Sequence, residues 1–441
     1  MESNINRDLL SFIAASPTAW HTVENLAWEL REAGYRELFE EDAWELEPGA
    51  RCFVRRNDSS LLAFRVPEKP APGFMLMTAH ADSPTFKVKE LETVTAAGVY
   101  AQLNVERYGG MMISPWLDRP LSVAGRVVFR DGERLVTRLV NIDRDLLLIP
   151  NLAIHLDRSA NEGKAYDPKT DLMPLVGLEG GGVAFRRLIA DAAGTQPDDI
   201  LSAELMLYPR TPGTIWGAEG EFLSAPRLDD LQCVYACARG FLEAEEGRSI
   251  PVLCIFDNEE VGNGTKQGAD STFLEDSLQR LCEALDLGLS DYRRMLSQSL
   301  MVSADNAHAV HPNRPEFSDK IDRPVINSGV VIKYNAKQRY TTDALSAALF
   351  LEICRRAGVP TQRYSNRADI TGGWTLGHIS LTHVSLKSVD VGLAQLAMHS
   401  CYETAGTKDT DYLRRAAMRF FASSLRCRGD EMLLTDGGKT E

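Results

Sequence analysis

The chain has 441 residues, of which 44% are hydrophobic and 25% are charged, and its net charge at pH 7 is −14. A chain of this length exceeds what one simple core usually holds, so we expect two domains. The acidic balance argues against nucleic acid or an anionic membrane as the main partner. No apolar run approaches the ~18 residues of a membrane span, and the N-terminal segment MESNINRDLLSF lacks the pattern of a secretion signal. We therefore expect a cytoplasmic protein.

Eight cysteines are scattered along the chain, and none of them forms a CxxC pair. Cys233 and Cys237 lie one helical turn apart in the sequence, and we expect both to be buried thiols. This usage implies no disulfide framework and fits a reducing compartment.

The first elements along the chain are predicted to be helices followed by strands. HTVENLAWELREAGY repeats apolar residues at helical spacing, so residues 1–45 are expected to be largely helical, with Gly34 marking a helix end. Residues 51–66 then alternate as expected for a hairpin. The apolar strand in GFMLMTAHADSP comes next, and it ends in His80 and Asp82.

A β-rich section from about 91 to 224 follows and interrupts this alternation of helices and strands. Within it, Asp131 and Gly132 predict a two-residue hairpin turn, and the glycines at 180–182 predict a tight turn. After residue 225, strands and helices alternate again.

This order predicts an α/β fold with a central mixed β-sheet that is flanked by helices and interrupted by the β-rich section. One domain would comprise residues 1–90 and 225–441, and the insertion would comprise residues 91–224. The tail from residue 427, RCRGDEMLLTDGGKTE, is expected to be poorly ordered.

The apolar segment PVLCIF predicts a buried strand that is followed by Asp257, Asn258, Glu259 and Glu260. Charge at the end of a buried strand is costly unless water or a cation lies next to it, and the segment alone leaves both possibilities open. Adjacent side chains in extended backbone point to opposite sides, so one glutamate could face a metal and the other its water. A carboxylate beside such a water suits general-base catalysis.

Other segments also deliver histidines and carboxylates at strand ends or in turns. They are His80 and Asp82 in HAD, Asp229 and Asp230 in APRLDDLQ, Asp305, His308 and His311 in VSADNAHAVHPN, and His399 in QLAMHSCYE. Each segment alone is weak evidence, since a single histidine or acidic pair is usually explained by hydrogen bonding or a helix N-terminus. Their repetition favours a metal centre. Mixed imidazole and carboxylate ligands suit zinc, and also cobalt or manganese, and five ligands with one bridging carboxylate would hold two ions.

Taken in chain order, these segments make the sequence resemble the aspartyl aminopeptidase family of dizinc exopeptidases, the M18 peptidases, and in particular its bacterial members. The motifs that carry the resemblance are SPTAWHTV, AHADSP, WLDRPLSVAGRV, NLAIHLDR, APRLDDL, DNEEVG, SADNAHAVHPN, IKYNAKQRY and QLAMHS. They cover most of the chain. The resemblance implies a zinc-exopeptidase catalytic domain, with the β-rich section as a dimerisation domain.

The resemblance also implies roles for individual residues. The implied zinc ligands are His80, Asp229 and Asp305 for one ion, and Asp229, Glu260 and His399 for the other. Glu259 would act as general base and acid on a zinc-activated water, and Asp82 would orient the His80 ring.

Four further positions match residues of the family's substrate pocket. They are His155, His308, Lys333 and Tyr340. In the family, the histidine equivalent to His155 reaches the active site of a neighbouring subunit, and dimers assemble into a tetrahedral dodecamer. Lys333 would pair with an acidic side chain of the substrate, although a surface lysine on a strand stays open from the residues alone.

The implied function is hydrolysis of the N-terminal peptide bond of short peptides, with a preference for N-terminal Asp or Glu. One segment departs from the family pattern. TGGWTLGHIS, residues 371–380, has Trp374 and His378 where the family carries a smaller residue and a proline. This loop would lie near the pocket, so the departure bears on the preference for acidic residues.

Three other functions stay open. A deacylase or carboxypeptidase on the same dizinc scaffold would keep the ligands. A non-enzymatic assembly protein would keep the fold, but Glu259 and all five implied ligands are present in this chain. A structural calcium site would prefer an all-oxygen shell, and His80 and His399 argue against it.

Overall fold

The computed structural model describes residues 5–437. Nine α-helices lie within this range: α1 (Ile5–Ala15), α2 (Ala19–Glu32), α3 (Gly181–Ala193), α4 (Leu228–Glu243), α5 (Phe273–Glu283), α6 (Leu289–Ser297), α7 (Ala344–Ala357), α8 (Leu376–Ser380) and α9 (Asp409–Phe421). The same range contains 22 strands: β1 (Arg36–Leu38), β2 (Arg51–Arg56), β3 (Ser60–Arg65), β4 (Phe74–His80), β5 (Thr85–Ala96), β6 (Tyr100–Tyr108), β7 (Leu121–Asp131), β8 (Arg134–Asn141), β9 (Leu175–Leu178), β10 (Ile200–Pro209), β11 (Thr214–Trp216), β12 (Phe222–Ala225), β13 (Ile250–Phe256), β14 (Leu300–Ala304), β15 (Ala307–His308), β16 (Val330–Tyr334), β17 (Thr361–Ser365), β18 (Lys387–Gly392), β19 (Ala394–Leu396), β20 (Glu403–Gly406), β21 (Ser423–Arg428) and β22 (Glu431–Asp436).

The largest sheet has nine strands in the order β1-β2-β3-β13-β4-β14-β18-β16-β17. Strands β13, β4, β14 and β18 run parallel to one another, whereas β3 and β16 join them in antiparallel pairs. This is the central mixed sheet that the sequence predicts. Helices α1, α2, α4, α7 and α9 contribute to the core on one face, and α5, α6 and α8 contribute to the core on the other.

Strand β4 shows why these residues form the centre of the sheet. Its apolar side chains alternate between the two cores, with Met75 and Met77 in one and Phe74 and Leu76 in the other. A strand that is buried on both faces needs a continuous apolar run, which FMLMTA supplies. Full burial of such a side chain stabilises the fold by about 1.5–3 kcal/mol.

Polar residues follow these parallel strands at one edge of the sheet. His80 is the partner of Phe256 in the β4–β13 ladder, so Asp257 lies one residue beyond that pair, at the same end of the sheet. Asp305 follows β14, which is the other neighbour of β4. Ligands of α/β proteins usually bind outside the carboxyl ends of parallel strands, so this edge positions the candidate site.

A five-stranded sheet in the order β11-β12-β20-β19-β15 brings two distant segments to the same place. Strand β12 precedes α4, whose first turn contains Asp229, and His399 lies in the turn between β19 and β20. Because β12 pairs with β20, Asp229 and His399 become neighbours although they are far apart in the sequence.

The β-rich section forms a six-stranded antiparallel sheet in the order β8-β7-β10-β5-β6-β9. A two-residue hairpin turn is confirmed, but one residue later than predicted: Asp131 pairs with Arg134, so Gly132 and Glu133 form the turn. Of the turn predicted at 180–182, only Gly180 lies in a turn, in left-handed conformation, and helix α3 begins at Gly181. The helix contributes Phe185 to the core of this section. The domain boundaries near residues 90 and 224 stay predictions.

The expectation for the C-terminal tail is wrong within the described range. Strands β21 and β22 pair as a hairpin, and Leu425 and Leu434 join the main core. Arg356 and Arg419 form ion pairs with Asp436, which attaches the hairpin to α7 and α9. Residues 438–441 lie outside the described range.

No helix within residues 5–437 is both long and apolar enough to cross a membrane. All eight cysteines lie in this range as free thiols, and Cys233 and Cys237 are buried as predicted. Burial raises the pKa of both thiols well above the usual value, which keeps them protonated.

Candidate metal centre

Asp229 lies at the centre of the candidate site, in the first turn of α4, and its side chain is buried. Its Oδ1 lies 3.5 Å from His80 Nε2, and its Oδ2 lies 3.4 Å from His399 Nε2. The peptide bond between Asp229 and Asp230 is cis. Burial opposes ionisation of Asp229, but the nearby imidazoles of His399 and His80 lower its pKa below the usual value. One carboxylate therefore lies between two imidazoles.

His80 ends strand β4 and is buried. Its Nδ1 donates to the carbonyl oxygen of Asp82 at 3.0 Å and lies 3.3 Å from Asp82 Oδ1. A carbonyl oxygen can only accept, so Nδ1 carries a proton and Nε2 is the nitrogen left for a ligand. Burial alone would lower the pKa of His80, but the neighbouring carboxylates of Asp229 and Asp82 raise it well above the usual value. The surrounding carboxylates thus favour the protonated, positively charged form of the His80 ring.

Asp305 and Asp230 complete the His80 side of the centre. One oxygen from each of Asp229, Asp230 and Asp305 lies within 4.8 Å of the others. Asp230 Oδ2 accepts the backbone N–H of His80 at 3.2 Å. Asp305 Oδ1 lies 3.5 Å from the ammonium of Lys333. Asp230 therefore lies next to the centre. The sequence could not predict this, because two adjacent acidic residues are equally typical of a helix N-terminus.

Glu260 and His399 lie on the opposite side of Asp229. Glu260 Oε1 is 3.4 Å from His399 Nε2, and ligand-type atoms of His80, Asp229 and Glu260 lie within 4.8 Å of one another. His399 Nδ1 donates to the carbonyl oxygen of Gly110, so its Nε2 also faces the centre. All five predicted ligands therefore converge around Asp229.

The backbone of Glu259 and Glu260 differs from the prediction. The two residues lie in a short 3-10 helical turn, Glu259–Val261, and not in extended backbone. The strand breaks off because Asn258 has a left-handed φ of 65°. Glu259 is half-buried, and burial raises the pKa of its carboxyl to about 8 against the opposing effect of His80. A carboxyl with a pKa near neutrality can accept and return a proton.

Glu403 holds two of the ligands in place, and the sequence prediction missed it. Its Oε2 accepts the backbone N–H of Asp229 at 2.9 Å, and its Oε1 accepts that of His399 at 2.7 Å. Burial raises the pKa of Glu403 to about 8. The one available signal was its position four residues after His399 in HSCYE.

Asp82 was predicted to orient His80, and it also holds the glutamate turn. Its Oδ1 and Oδ2 accept the backbone N–H groups of Glu259 and Glu260, each at 3.1 Å. The hydroxyl of Tyr108 donates to Asp82 Oδ2 at 2.7 Å. Tyr108 is a second contributor that the prediction missed, because the sequence shows only a tyrosine before a glycine pair.

Three of the four predicted substrate-binding residues lie close to one another. Lys333 Nζ is 5.6 Å from the centre of the Tyr340 ring, and the rings of Tyr340 and His308 each lie 6.2 Å from that of Tyr364. Lys333 is buried and donates to the carbonyl oxygen of Asn306 at 2.8 Å. The alternative of a surface lysine is therefore wrong.

The fourth predicted pocket residue, His155, is exposed in the β-rich section between the exposed side chains of Ile154 and Leu156. Within residues 5–437 it forms no hydrogen bond or ion pair with the predicted ligands. Trp374, in the loop that departs from the family pattern, is also exposed. The guanidinium of Arg339 lies 4.6 Å from the centre of its ring.

Among residues 5–437, several buried carboxylate oxygens at the centre have no hydrogen-bond partner. They are Asp229 Oδ1, Asp230 Oδ1 and Glu260 Oε1. An unpaired buried carboxylate oxygen is costly unless a cation neutralises it. Two imidazoles among carboxylates fit zinc better than calcium, which prefers oxygen ligands. The residues present therefore fit zinc.

Comparison with known sequences gives matches along almost the whole chain. Residues 12–421 match the family model described as Aminopeptidase I zinc metalloprotease (M18). A probable M18 family aminopeptidase 2 from Clostridium acetobutylicum is 42% identical over 428 residues, which cover 95% of this chain and 99% of the relative.

Solved structures share the fold. A chain in the cryo-EM structure of the Ape4 and Nbr1 complex has a TM-score of 0.91 at 36% identity, and the match covers 95% of this chain and 85% of that one. The structure of the S. cerevisiae mApe1 dodecamer has a TM-score of 0.84 at 28% identity, with 95% and 96% covered. The chain therefore belongs to the M18 family and is a zinc aminopeptidase, a hydrolase that acts on peptide bonds.

Proposed function

We propose that this chain is a dizinc aminopeptidase, and that Asp229 would be a ligand of both zinc ions. His80 and Asp305 would complete one set of ligands, and Glu260 and His399 would complete the other. The observation that carries the proposal is the position of the two Asp229 oxygens, 3.5 Å and 3.4 Å from the Nε2 atoms of the two histidines. Cobalt or manganese would suit the same donors.

The chemistry divides between the ions and the side chains. Bound zinc supplies Lewis acidity, which polarises the scissile carbonyl group and makes a water more acidic. Glu259 accepts a proton from the attacking water and returns it to the leaving amine, as a general base and acid does. Asp82 holds Glu259 through its backbone N–H and keeps the His80 ring oriented.

The proposed substrates are short peptides with a free N-terminus, preferably Asp or Glu. His308, Lys333 and Tyr340 would line the first pocket. The buried ammonium of Lys333 supports a cation beside the centre, but Asp305 and the Asn306 carbonyl oxygen already engage it. An acidic substrate side chain would therefore share this ammonium with Asp305.

We also propose a homo-oligomer in which dimers form a tetrahedral dodecamer, with His155 completing the pocket of a neighbouring subunit. The S. cerevisiae relative whose structure matches this chain is a dodecamer. Leu152, Ile154 and Leu156 are exposed apolar side chains beside His155. Such a cluster supports burial against another subunit.

Hydrolysis of aminoacyl reporter substrates tests the function. With zinc, cobalt or manganese added, we expect faster release from Asp and Glu reporters than from Leu, Ala and Lys reporters. Peptides blocked at the N-terminus should resist cleavage, and peptides blocked at the C-terminus should be cleaved. The opposite result for blocked peptides would favour a carboxypeptidase or deacylase. Equal rates on all reporters would remove the acidic preference.

Replacement of His155 tests the shared pocket. His155→Phe should leave the oligomer intact by analytical ultracentrifugation and lower turnover about 10²-fold, the usual cost of disturbed catalytic geometry. His311→Phe, at another exposed histidine, is the matched control and should keep normal turnover. An unaffected rate in His155→Phe would end the proposal of a pocket shared between subunits.

A further inference from the structure

The segment Tyr108–Gly109–Gly110, here called the YGG turn, follows strand β6 of the β-rich section. It contacts residues around His80 and residues around His399, which are the two sides of the metal centre, although none of the five proposed ligands belongs to it. Strand β6 pairs with β5 and β9 and not with the nine-stranded sheet. The YGG turn is therefore a place where the β-rich section meets the metal centre.

On the His80 side, the YGG turn acts through Asp82. The Tyr108 hydroxyl donates to Asp82 Oδ2 at 2.7 Å and accepts from Asn258 Nδ2 at 2.8 Å. Both Asp82 oxygens also accept backbone N–H groups of the glutamate turn. A carboxylate held by several donors has one orientation, so the Tyr108 hydroxyl helps to fix the Asp82 side chain, whose Oδ1 lies 3.3 Å from His80 Nδ1.

On the opposite side, the YGG turn and a residue just after it hold His399 through two hydrogen bonds. The Gly110 carbonyl oxygen accepts from His399 Nδ1 at 2.5 Å. The Met112 N–H donates to the His399 carbonyl oxygen at 3.0 Å. The first bond sets which ring nitrogen faces the centre, and the second holds the backbone of a residue whose φ is +66°.

Gly109 permits this close approach. Its φ is +80°, a conformation that favours glycine. A Cβ at this position would lie 3.1 Å from Glu260 Cβ and 3.3 Å from the Glu260 carbonyl oxygen. The YGG turn therefore packs directly against a proposed zinc ligand, and a larger residue would push the two apart.

We propose that the YGG turn is a positioning element of the metal centre, which makes zinc affinity depend on the placement of the β-rich section. This proposal rests on the dizinc function proposed above. Tyr108 acts through Asp82, and Gly110 acts through His399. Groups that orient metal ligands typically contribute 10–100-fold to metal affinity. Displacement of the YGG turn would weaken zinc binding even with all five ligands present.

The substitution Tyr108→Phe removes the hydroxyl and keeps the ring. We expect zinc affinity, measured by competition with a chromophoric chelator, to fall about 10–100-fold. The visible spectrum of the cobalt-loaded protein should change, and kcat should fall while KM stays constant. Tyr208→Phe is the matched control, because it removes another hydroxyl of the β-rich section that donates to Asn141 at 2.7 Å. It should bind zinc with wild-type affinity.

A second pair of variants tests the close approach. Gly109 and Gly132 both have a positive φ, but a Cβ at Gly132 would meet no atom within 4 Å. Gly109→Ala should lose zinc affinity, and Gly132→Ala should keep it. If Gly109→Ala does not fold, Tyr108→Phe decides, because it adds no atom.

Two outcomes separate this proposal from the function on which it rests. Wild-type zinc affinity and an unchanged cobalt spectrum in Tyr108→Phe would overturn the role of the YGG turn and leave the dizinc function standing. Failure of the wild-type protein to bind zinc would overturn the dizinc function itself.

Discussion

The two histidine sides of the metal centre are built differently. The side chain of His80, at the end of a central strand, is 2% exposed, whereas that of His399 lies in a turn and is 33% exposed. Strand pairing fixes the backbone of His80, and the hydrogen bonds that His399 donates to Glu403 and Gly110 fix His399. A sheet places a ligand on rigid backbone, but a turn needs partners from other segments. We therefore expect the two sides to respond differently to mutation.

The largest effect on turnover is expected at Glu259, which would act as the general base without binding either ion. Glu259→Gln keeps the shape of the side chain and removes the base, so turnover should fall about 10²–10⁴-fold while zinc content stays near the wild-type value. Steady-state kinetics and elemental analysis of one sample measure both quantities. Normal turnover would remove the base role, and loss of zinc would indicate that Glu259 is a ligand.

Paired histidine substitutions test whether the His80 and His399 sides of the centre differ. His80→Ala leaves buried carboxylates without a partner. We therefore expect zinc to be lost and the free energy of unfolding to fall by about 3–5 kcal/mol. His399→Ala changes a side that is already near solvent, so one of the two proposed ions should be lost with a smaller effect on stability. Elemental analysis and urea unfolding measure these effects. Two full equivalents of zinc in His399→Ala would contradict its assignment, and equal losses of stability would contradict the comparison.

Glu403 supports both His399, in its turn, and Asp229 through their backbone N–H groups. Glu403→Gln puts an amide NH₂ where a second acceptor is needed, so the N–H of Asp229 or His399 loses its partner. We expect a loss of about 1–3 kcal/mol in unfolding free energy and about 10-fold weaker zinc binding. Glu431→Gln, at an exposed position, is the control. Unchanged zinc affinity in Glu403→Gln would show that the turn does not need this support.

The smallest effect is expected at Arg134, whose ion pair with Asp131 joins side chains that are 80% and 56% exposed. Such pairs contribute about 0.2–1 kcal/mol. The pair contacts neither histidine side, so Arg134→Ala should leave zinc affinity and turnover unchanged. A large loss of either would mean that the β-rich section acts on the centre through more than the YGG turn.

The same difference explains which features could be predicted from the sequence. Continuous apolar runs such as those of β4, β13 and β14 predict buried strands, and the mixed sheet that they form is confirmed. His80 and Asp305 were visible because each directly follows such a run. His399 lies in a turn that has no pattern of its own, so its segment alone was weak evidence and the family resemblance assigned it to one ion.

Other features depend on contacts between distant segments, which local patterns do not encode. The helical turn at Glu259 and Glu260 is held by Asp82, whereas the sequence predicted extended backbone. The supports from Tyr108 and Glu403 likewise arise only in the folded chain. The C-terminal hairpin was missed because its few apolar residues gain a partner only once the main core exists.

Anomalous diffraction at the zinc absorption edge, from crystals grown with zinc, would show whether two ions share Asp229 as a ligand. We predict two peaks, one bounded by His80, Asp229 and Asp305, and the other by Asp229, Glu260 and His399. A single peak, or peaks that do not share Asp229, would contradict the dizinc centre.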